Sequence, residues 1–241
     1  MKKFIAISAL LLAALLCFSA CEKSEPADEE AKEAKETTAE ETKGEDSEID
    51  DTKVEMPAAG EYSAYIAPAT IEGDAKITLN EDKSFSITIE DDNGFDVGGL
   101  KVKYLYTGSY TFDNGTVTCT SGKASFTLSS DDANAVLAHL RDQGAPEPAV
   151  SIIEDALING TSLTDDDIGS IPFEKTVFCF SYENGKLIIG STEEWYGDSQ
   201  YPHFVCTYEN GVLYTKTLYD RTGGVTYTNY YVDGKFDHCV E

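Results

Sequence analysis

The stretch YTFDNGTVTCT, residues Tyr110–Thr120, gives the clearest indication of the fold. An aromatic segment runs into Asn114-Gly115, and a second segment rich in Thr and Val follows at once. Both central residues of a two-residue type I′ turn need positive φ, which Asn and Gly tolerate best. The stretch therefore predicts a tight hairpin of two antiparallel strands.

The same pattern recurs along the chain. The further examples are FSYENGKLIIG (Phe180–Gly190), CTYENGVLYTK (Cys206–Lys216) and, with Asp-Gly at the turn, YYVDGKFDH (Tyr230–His238). Upstream, SFSITI (Ser84–Ile89) alternates polar and apolar side chains, which is the period of a strand with one buried face. Successive hairpins predict a mainly β fold, an antiparallel meander that forms a barrel or half-barrel.

Two helical segments interrupt the strands, and we place this insertion at about residues 130–159. SSDDANAVLAHLRDQG (Ser129–Gly144) begins with residues that cap helices, carries an apolar stripe and ends at Gly. PEPAVSIIEDALINGTS (Pro146–Ser162) begins at Pro and stops at Asn159-Gly160. We expect two short helices that close one end of the barrel or pack over a sheet face.

Two segments of the predicted sheet resemble a known type of domain. LNEDKSFSI (Leu79–Ile87), followed by GSYTFDNGTV (Gly108–Val117), resembles the lipocalin-like β domains of small bacterial lipoproteins. The resemblance rests on turn chemistry and implies an antiparallel barrel or half-barrel. It implies no particular ligand, because a fold does not fix a function.

Residues 1–20 have the parts of a secretory signal peptide. A basic start is followed by the uncharged run Phe4–Ala20 and by small residues before a cut site. Phe18-Ser19-Ala20-Cys21 resembles the lipobox of bacterial lipoproteins, which implies cleavage before Cys21 and diacylglycerol on its thiol. We therefore expect a protein of the bacterial cell envelope, lipid-anchored to a membrane outside the cytoplasm. The alternatives are a plain secretory signal and a retained membrane helix.

Residues 21–58 predict an acidic, disordered tether. Glu22–Met56 holds 15 acidic residues, five Lys and no aromatic residue. Such a segment cannot bury enough apolar surface to fold, and its like charges extend it. The tether either holds the domain clear of the lipid or serves as an export signal. The β domain is then expected over residues 59–241.

The charge of the chain limits its partners. There are 44 acidic and 18 basic residues, for a formal net charge of −26. Nucleic acid is repelled by such a surface, and direct docking on anionic headgroups is disfavoured. The predicted partners are a membrane, through the lipid on Cys21, and an unidentified small molecule, glycan or protein. No cofactor and no metal is predicted, since catalytic, nucleotide and zinc signatures are absent from the sequence.

Four cysteines lie in the predicted domain. They are Cys119, Cys179, Cys206 and Cys239. An even number of cysteines in an exported protein predicts disulfides, here two. The sequence leaves open which of the three possible pairings forms.

The candidate ligand site is STEEWYGDSQYPHF (Ser191–Phe204), which contains the only Trp. The candidate residues are Glu193, Glu194, Trp195, Tyr196, Asp198 and Tyr201. Aromatic rings with flanking carboxylates suit sugar rings or a basic peptide. The leading prediction is non-enzymatic binding. The alternatives are a carbohydrate-active enzyme, or a structural or assembly subunit in which Trp195 and Tyr196 only anchor a loop.

Overall fold

The computed structural model describes residues 56–66, 73–91, 97–164, 175–195 and 199–241. The predicted signal peptide, Cys21 and nearly all of the acidic tether lie outside these residues. In the part of the chain that the structure describes, no helix is long and apolar enough to cross a membrane.

Within the described residues the chain forms twelve strands and two helices. The strands are β1 (Gly60–Ile66), β2 (Gly73–Leu79), β3 (Ser84–Asp91), β4 (Lys101–Asp113), β5 (Thr116–Ser129), β6 (Leu163–Thr164), β7 (Lys175–Glu183), β8 (Lys186–Trp195), β9 (Phe204–Glu209), β10 (Val212–Tyr219), β11 (Val225–Val232) and β12 (Lys235–Val240). The helices, between β5 and β6, are α1 (Ala133–Asp142) and α2 (Glu147–Asn159). The predicted mainly β fold with two inserted helices is confirmed.

The strands form one antiparallel sheet whose spatial order follows the chain. The path runs from β1 to β12, and only the two-residue β6 lies off it, paired with β5. The predicted meander is confirmed. No hydrogen-bonded pair of described strands joins the two ends of the path, so the sheet is not a closed barrel. It curls instead until β1 contacts β8, as a half-barrel does.

The tight turns have the backbone that the sequence predicts. Asn114, Asn184, Asn210 and Asp233 have φ of 46°, 51°, 52° and 51°. The glycine that follows each of them also has positive φ. Residues without such freedom would strain these two-residue connections, so the Asn-Gly and Asp-Gly pairs fix the hairpin register.

The inner face of the curled sheet is filled with side chains. Among the residues that are almost completely buried are Ile77, Ile87, Val117, Phe178 and Phe180. They belong to one cluster that extends from β1 to β10. The concave side of the half-barrel is therefore a packed core, as in other small barrels.

The helices form a second cluster at one end of this core. Asp132 caps α1, since its Oδ1 accepts a hydrogen bond of 3.1 Å from the Ala135 amide. Val150 and Ile153 of α2 pack with Val102 and Leu128, on the far ends of β4 and β5. Of the two predicted placements, the structure has the helices at one end of the half-barrel.

The chain enters the domain at the opposite end. Lys83 Nζ lies 2.8 Å from Met56 Sδ, beside the β2–β3 turn, and the Tyr62 hydroxyl donates to the Ala58 carbonyl at 2.7 Å. In a meander that starts at this end, the four Asn-Gly and Asp-Gly turns lie there too. We call it the entry end. The helices, Trp195 and the β10–β11 turn lie at the other end.

Candidate functional site

The two candidate glutamates lie on opposite faces of β8. Glu194 pairs with Thr176 on β7 and is 1% exposed on the inner face. Glu193 pairs with Val177 and Val205 on the outer face and is half-buried. Successive strand residues point to opposite sides, so the two carboxylates do not meet.

Glu194 belongs to a short buried polar cluster. Ser121, Thr176 and Thr192 are its neighbours, and all three are buried. Ser121 Oγ accepts a hydrogen bond of 3.0 Å from the Thr176 amide. Thr192 Oγ1 has no hydrogen-bond partner among the described residues. This cluster is enclosed by the core and is not a surface for a ligand.

Trp195 is held in place from two sides. Its Nε1 donates a hydrogen bond of 3.1 Å to Glu193 Oε2. Lys175 lies directly opposite on β7, with its Nζ 4.6 Å from the centre of the indole ring. The cation–π contact and the hydrogen bond fix the orientation of the ring. Trp195 is therefore a rigid, half-buried aromatic group on the outer face.

Of the three remaining candidate residues, Tyr201 alone lies within the described part of the chain. Tyr201 is 43% exposed and lies against Gly223 of the β10–β11 turn, where a Cβ atom would overlap its ring. Tyr196 and Asp198 lie outside the described residues. The structure thus brings Glu193 and Trp195 together, excludes Glu194 from their face, and places Tyr201 beside a neighbouring turn.

His203 connects the strands at this end of the sheet. Its amide donates to the Glu194 carbonyl at 2.7 Å, and its carbonyl accepts from the Tyr219 amide at 2.8 Å. Burial, together with the charge of Arg221, lowers the pKa of His203 below its ordinary value. His203 is therefore less readily protonated than a fully solvated histidine.

The outer face around Trp195 extends over six strands. It consists of two rows of side chains that run across the strands, together with Lys175 and Trp195. We call this surface the hydroxyl–aromatic face. The first row is Val177, Glu193, Val205, Thr217, Thr228 and Val240; the second is Cys179, Ser191, Thr207, Thr215, Tyr230 and His238. Thr217 and Val177 are buried, and the other members of the two rows are half-buried or exposed.

Hydroxyl groups and rings are paired along this face. Thr207 and Thr215 are hydrogen-bonded at 2.6 Å, and Thr217 and Thr228 at 3.1 Å. The ring of Tyr230 stacks on that of His238, with centroids 4.7 Å apart. Such cross-strand pairs stabilise a sheet and leave its surface ordered.

Charge separates this face from the outer face of the first strands. Glu193 is the one acidic side chain in the two rows, although the chain has a net charge of −26. The outer face of β1–β4 carries seven charged side chains, which are Glu61, Asp74, Lys76, Glu90, Lys101, Lys103 and Asp113. Seven of the eleven large apolar side chains that are exposed in the described residues lie between Tyr201 and Val240.

The sequence predicted Trp195 and Glu193 as ligand-site residues but did not predict the rest of this face. The feature of the sequence that indicates this face is the alternation of Thr215 and Thr217 on β10. Thr207 and Thr228 continue it on the neighbouring strands. Thr is common in strands, so the alternation alone does not distinguish a surface from ordinary strand propensity. Only the pairing of the strands brings these hydroxyls together.

The predicted disulfides are wrong. None of Cys119, Cys179, Cys206 and Cys239 forms a disulfide in the described residues. Cys119 lies opposite Phe178 on the inner face of the sheet. The next cysteine along the chain, Cys179 on β7, lies on the outer face.

The other two cysteines are too distant from Cys119 and from each other. Cys119, Cys206 and Cys239 share one inner row, but two strands separate each from the next. At ~4.8 Å per strand the spacing is ~14 Å, and a disulfide needs Cα atoms less than ~7 Å apart. Burial, with a smaller effect of Cys179, raises the pKa of Cys119 to about 12.

Comparison with other proteins adds no further guide to function. No protein-family model, no curated protein and no solved structure matches the chain. In the described residues, no three side chains of His, Cys, Asp or Glu are grouped so as to hold a metal ion. The hydroxyl–aromatic face is therefore the feature of this chain from which a function can be inferred.

Proposed function

We propose that this chain is a bacterial cell-envelope lipoprotein, anchored by lipid on Cys21, whose β domain binds a partner without catalysing a reaction. The binding surface is the hydroxyl–aromatic face. The observation that carries the proposal is the near absence of acidic groups from this face of a strongly acidic chain.

The distribution of apolar side chains supports the same surface. Exposed aromatic and aliphatic groups are concentrated around it, at Tyr201, Tyr214, Val225 and Val240. Exposed apolar groups that are gathered in one region of a protein mark interaction sites more often than scattered ones do. The helices have their main strand contact with β5, and their buried side chains pack with Val102 and Leu128 of the inner face.

The position of Trp195 also suits a lipid-anchored protein. The chain enters the domain beside Lys83, and Trp195 ends β8, whose ten residues begin at the entry end. At ~3.3 Å per residue, Trp195 is ~30 Å away along the strand. A tether that leads from the membrane to the entry end would therefore direct Trp195 away from the lipid.

The alternative of a glycosidase finds no support in the two adjacent glutamates. Glycoside hydrolysis needs two carboxyl groups on either side of one bond. Glu194 is buried on the inner face, and Glu193 Oε2 accepts the hydrogen bond of Trp195. These two residues therefore cannot flank a sugar linkage on the outer face.

Cysteine accessibility tests whether a partner covers the hydroxyl–aromatic face. In Thr228→Cys the new thiol lies on this face, and in the control Thr88→Cys it lies on the outer face of β3. Both positions are half-buried. We expect a membrane-impermeant maleimide to modify Thr228→Cys several-fold more slowly in isolated envelopes than in the purified protein, with mass spectrometry identifying the modified peptide. The control should react equally in both, and equal rates for Thr228→Cys would refute the surface.

The anchor is tested separately. We expect Cys21→Ser to move the protein from the membrane fraction to the soluble envelope fraction, because one acyl-bearing thiol is lost. Intact mass should find diacylglycerol on the parent protein. A Cys21→Ser variant that stays with the membrane would refute lipid anchoring and leave the binding surface unaffected.

A further inference from the structure

We infer that the ligand of the hydroxyl–aromatic face is an uncharged glycan chain, an inference that rests on the proposed function and narrows it. The alternative occupant, a protein, becomes an outcome of the test below.

The charge of the face favours an uncharged ligand. An anionic ligand would approach a chain of net charge −26 against its field. A cationic ligand would be attracted to acidic surfaces, and this face offers Glu193 alone, with Lys175 close by at the same indole ring. The face therefore favours a ligand without charge, whose binding depends little on salt.

The side chains of the face match the chemistry of a sugar. In each pair of hydrogen-bonded threonines on the face, one hydroxyl proton remains to be donated and both oxygens can still accept. The rings of Trp195 and Tyr230 lie on the same face. A sugar ring presents the matching surfaces, which are hydroxyl groups at its edge and apolar C–H groups on its faces. Because Trp195 is already held by Glu193 and Lys175, little ordering of the ring is required when a ligand binds.

The width of the face suits an extended ligand. From β7 to β12 it crosses five strand spacings, or ~24 Å at ~4.8 Å each. An open surface of that width suits a chain of several sugars better than a single small molecule, which needs an enclosing pocket. The core fills the inner side of the half-barrel, so the ligand lies on the outside.

Affinity electrophoresis of the full mature protein in mild detergent tests the inference. The native gels contain one soluble polymer each, the neutral ones being hydroxyethyl cellulose, xyloglucan, mixed-linkage β-glucan, galactomannan, starch and dextran, and the anionic one polygalacturonate. We expect retardation by at least one neutral polymer, unchanged by added salt, and no retardation by polygalacturonate.

Variants locate the binding on the proposed face. Trp195→Ala should weaken the retardation about tenfold, the effect of losing one aromatic anchor. Thr228→Glu, which places a second acid on the face and removes no core side chain, should also weaken it. The matched control is Tyr65→Ala, an aromatic residue on the outer face of β1 that is 43% exposed, and it should bind as the parent does.

The outcomes distinguish a failure of the glycan inference from a failure of the proposed binding function. No retardation by any neutral polymer, retardation by polygalacturonate alone, or equal loss in Tyr65→Ala would overturn the glycan. If the Thr228→Cys thiol is nevertheless protected in envelopes, the face has a protein partner and the proposed function stands. If that thiol is unprotected as well, both proposals fail.

Discussion

Glu193 and Glu194 are adjacent in sequence, yet Glu193 accepts a hydrogen bond from Trp195 on the outer face while Glu194 is buried opposite Thr176 on the inner face. The period of two in a strand gives the neighbouring carboxylates different environments. One orients a surface ring, and the other belongs to the interior, so their substitutions should have different consequences.

Replacing Glu194 should destabilise the fold far more than replacing Glu193. Glu194→Ala removes a fully buried side chain, leaves a cavity and disturbs the polar cluster around Thr176, which should lower the free energy of unfolding by about 2–4 kcal/mol. Glu193→Ala should cost less than about 1 kcal/mol, as at other half-exposed sites. Urea denaturation measures both, and equal losses would contradict the assignment of the two faces.

Gly108 should be required at the bulge between β4 and β5. A Cβ atom at this position would overlap the Thr120 carbonyl oxygen and crowd the Ser121 Cα. Gly108→Ala should therefore destabilise the protein by about 2–3 kcal/mol through overpacking. The matched control is Gly122→Ala, where nothing lies within 4 Å of the added atom. It should be neutral or stabilise by up to about 1 kcal/mol, and thermal unfolding of the pair decides.

The cysteines should behave as four thiols, not as two disulfides. Without reductant, a thiol reagent should find all four after denaturation, and reductant should leave the melting temperature unchanged. In the folded protein at pH 8, Cys119 should stay unmodified, because it is buried and its pKa is raised to about 12. The exposed Cys239 should react first. A count of fewer than four thiols in denaturant would show that a disulfide forms and would contradict this prediction.

Asp220 should stabilise the β10–β11 turn only while it is ionised. Its Oδ1 accepts hydrogen bonds from the Thr222 amide and hydroxyl, each at 2.7 Å, and from the Gly224 amide at 3.0 Å. These bonds, that of the Thr222 side chain first, lower the pKa of Asp220 below its ordinary value of 3.8. The stabilisation is therefore complete above the unfolded pKa and is lost as the pH falls through the folded pKa.

Two variants measure this effect. Asp220→Ala should melt below the parent at neutral pH, and the difference should shrink as the pH falls below the ordinary pKa of 3.8. Asp220→Asn keeps an accepting oxygen without a titrating group, so its difference from Asp220→Ala should not depend on pH. A gap between parent and Asp220→Ala that widens toward acid would contradict the direction of the shift.

Local chemistry predicts much of this fold. The turns at Asn114, Asn184, Asn210 and Asp233 follow from residues that accept positive φ, and the helices follow from their caps and apolar stripes. These features depend on a few neighbouring residues, which the sequence displays directly. The meander follows from the turns, because short hairpins place successive strands side by side.

Features that depend on pairing between strands cannot be predicted from a few neighbouring residues. The predicted disulfides were wrong because spacing along the chain does not show that Cys119 and Cys179 lie on opposite faces of the sheet. Lys175 is distant from Trp195 in sequence and lies against it only because β7 and β8 are in register. The hydroxyl–aromatic face likewise exists only after six strands have aligned.

The strand order has a consequence for how the fold is reached. Each described strand on the path from β1 to β12 pairs with the next strand of that path. Only β5 has its later partners, β6 and β7, beyond the helical insertion. Most loop closures are therefore short, which keeps the entropic barrier to each step low and favours rapid assembly. A polypeptide that emerges amino end first can add its strands one after another to an existing edge, without waiting for a distant partner to arrive.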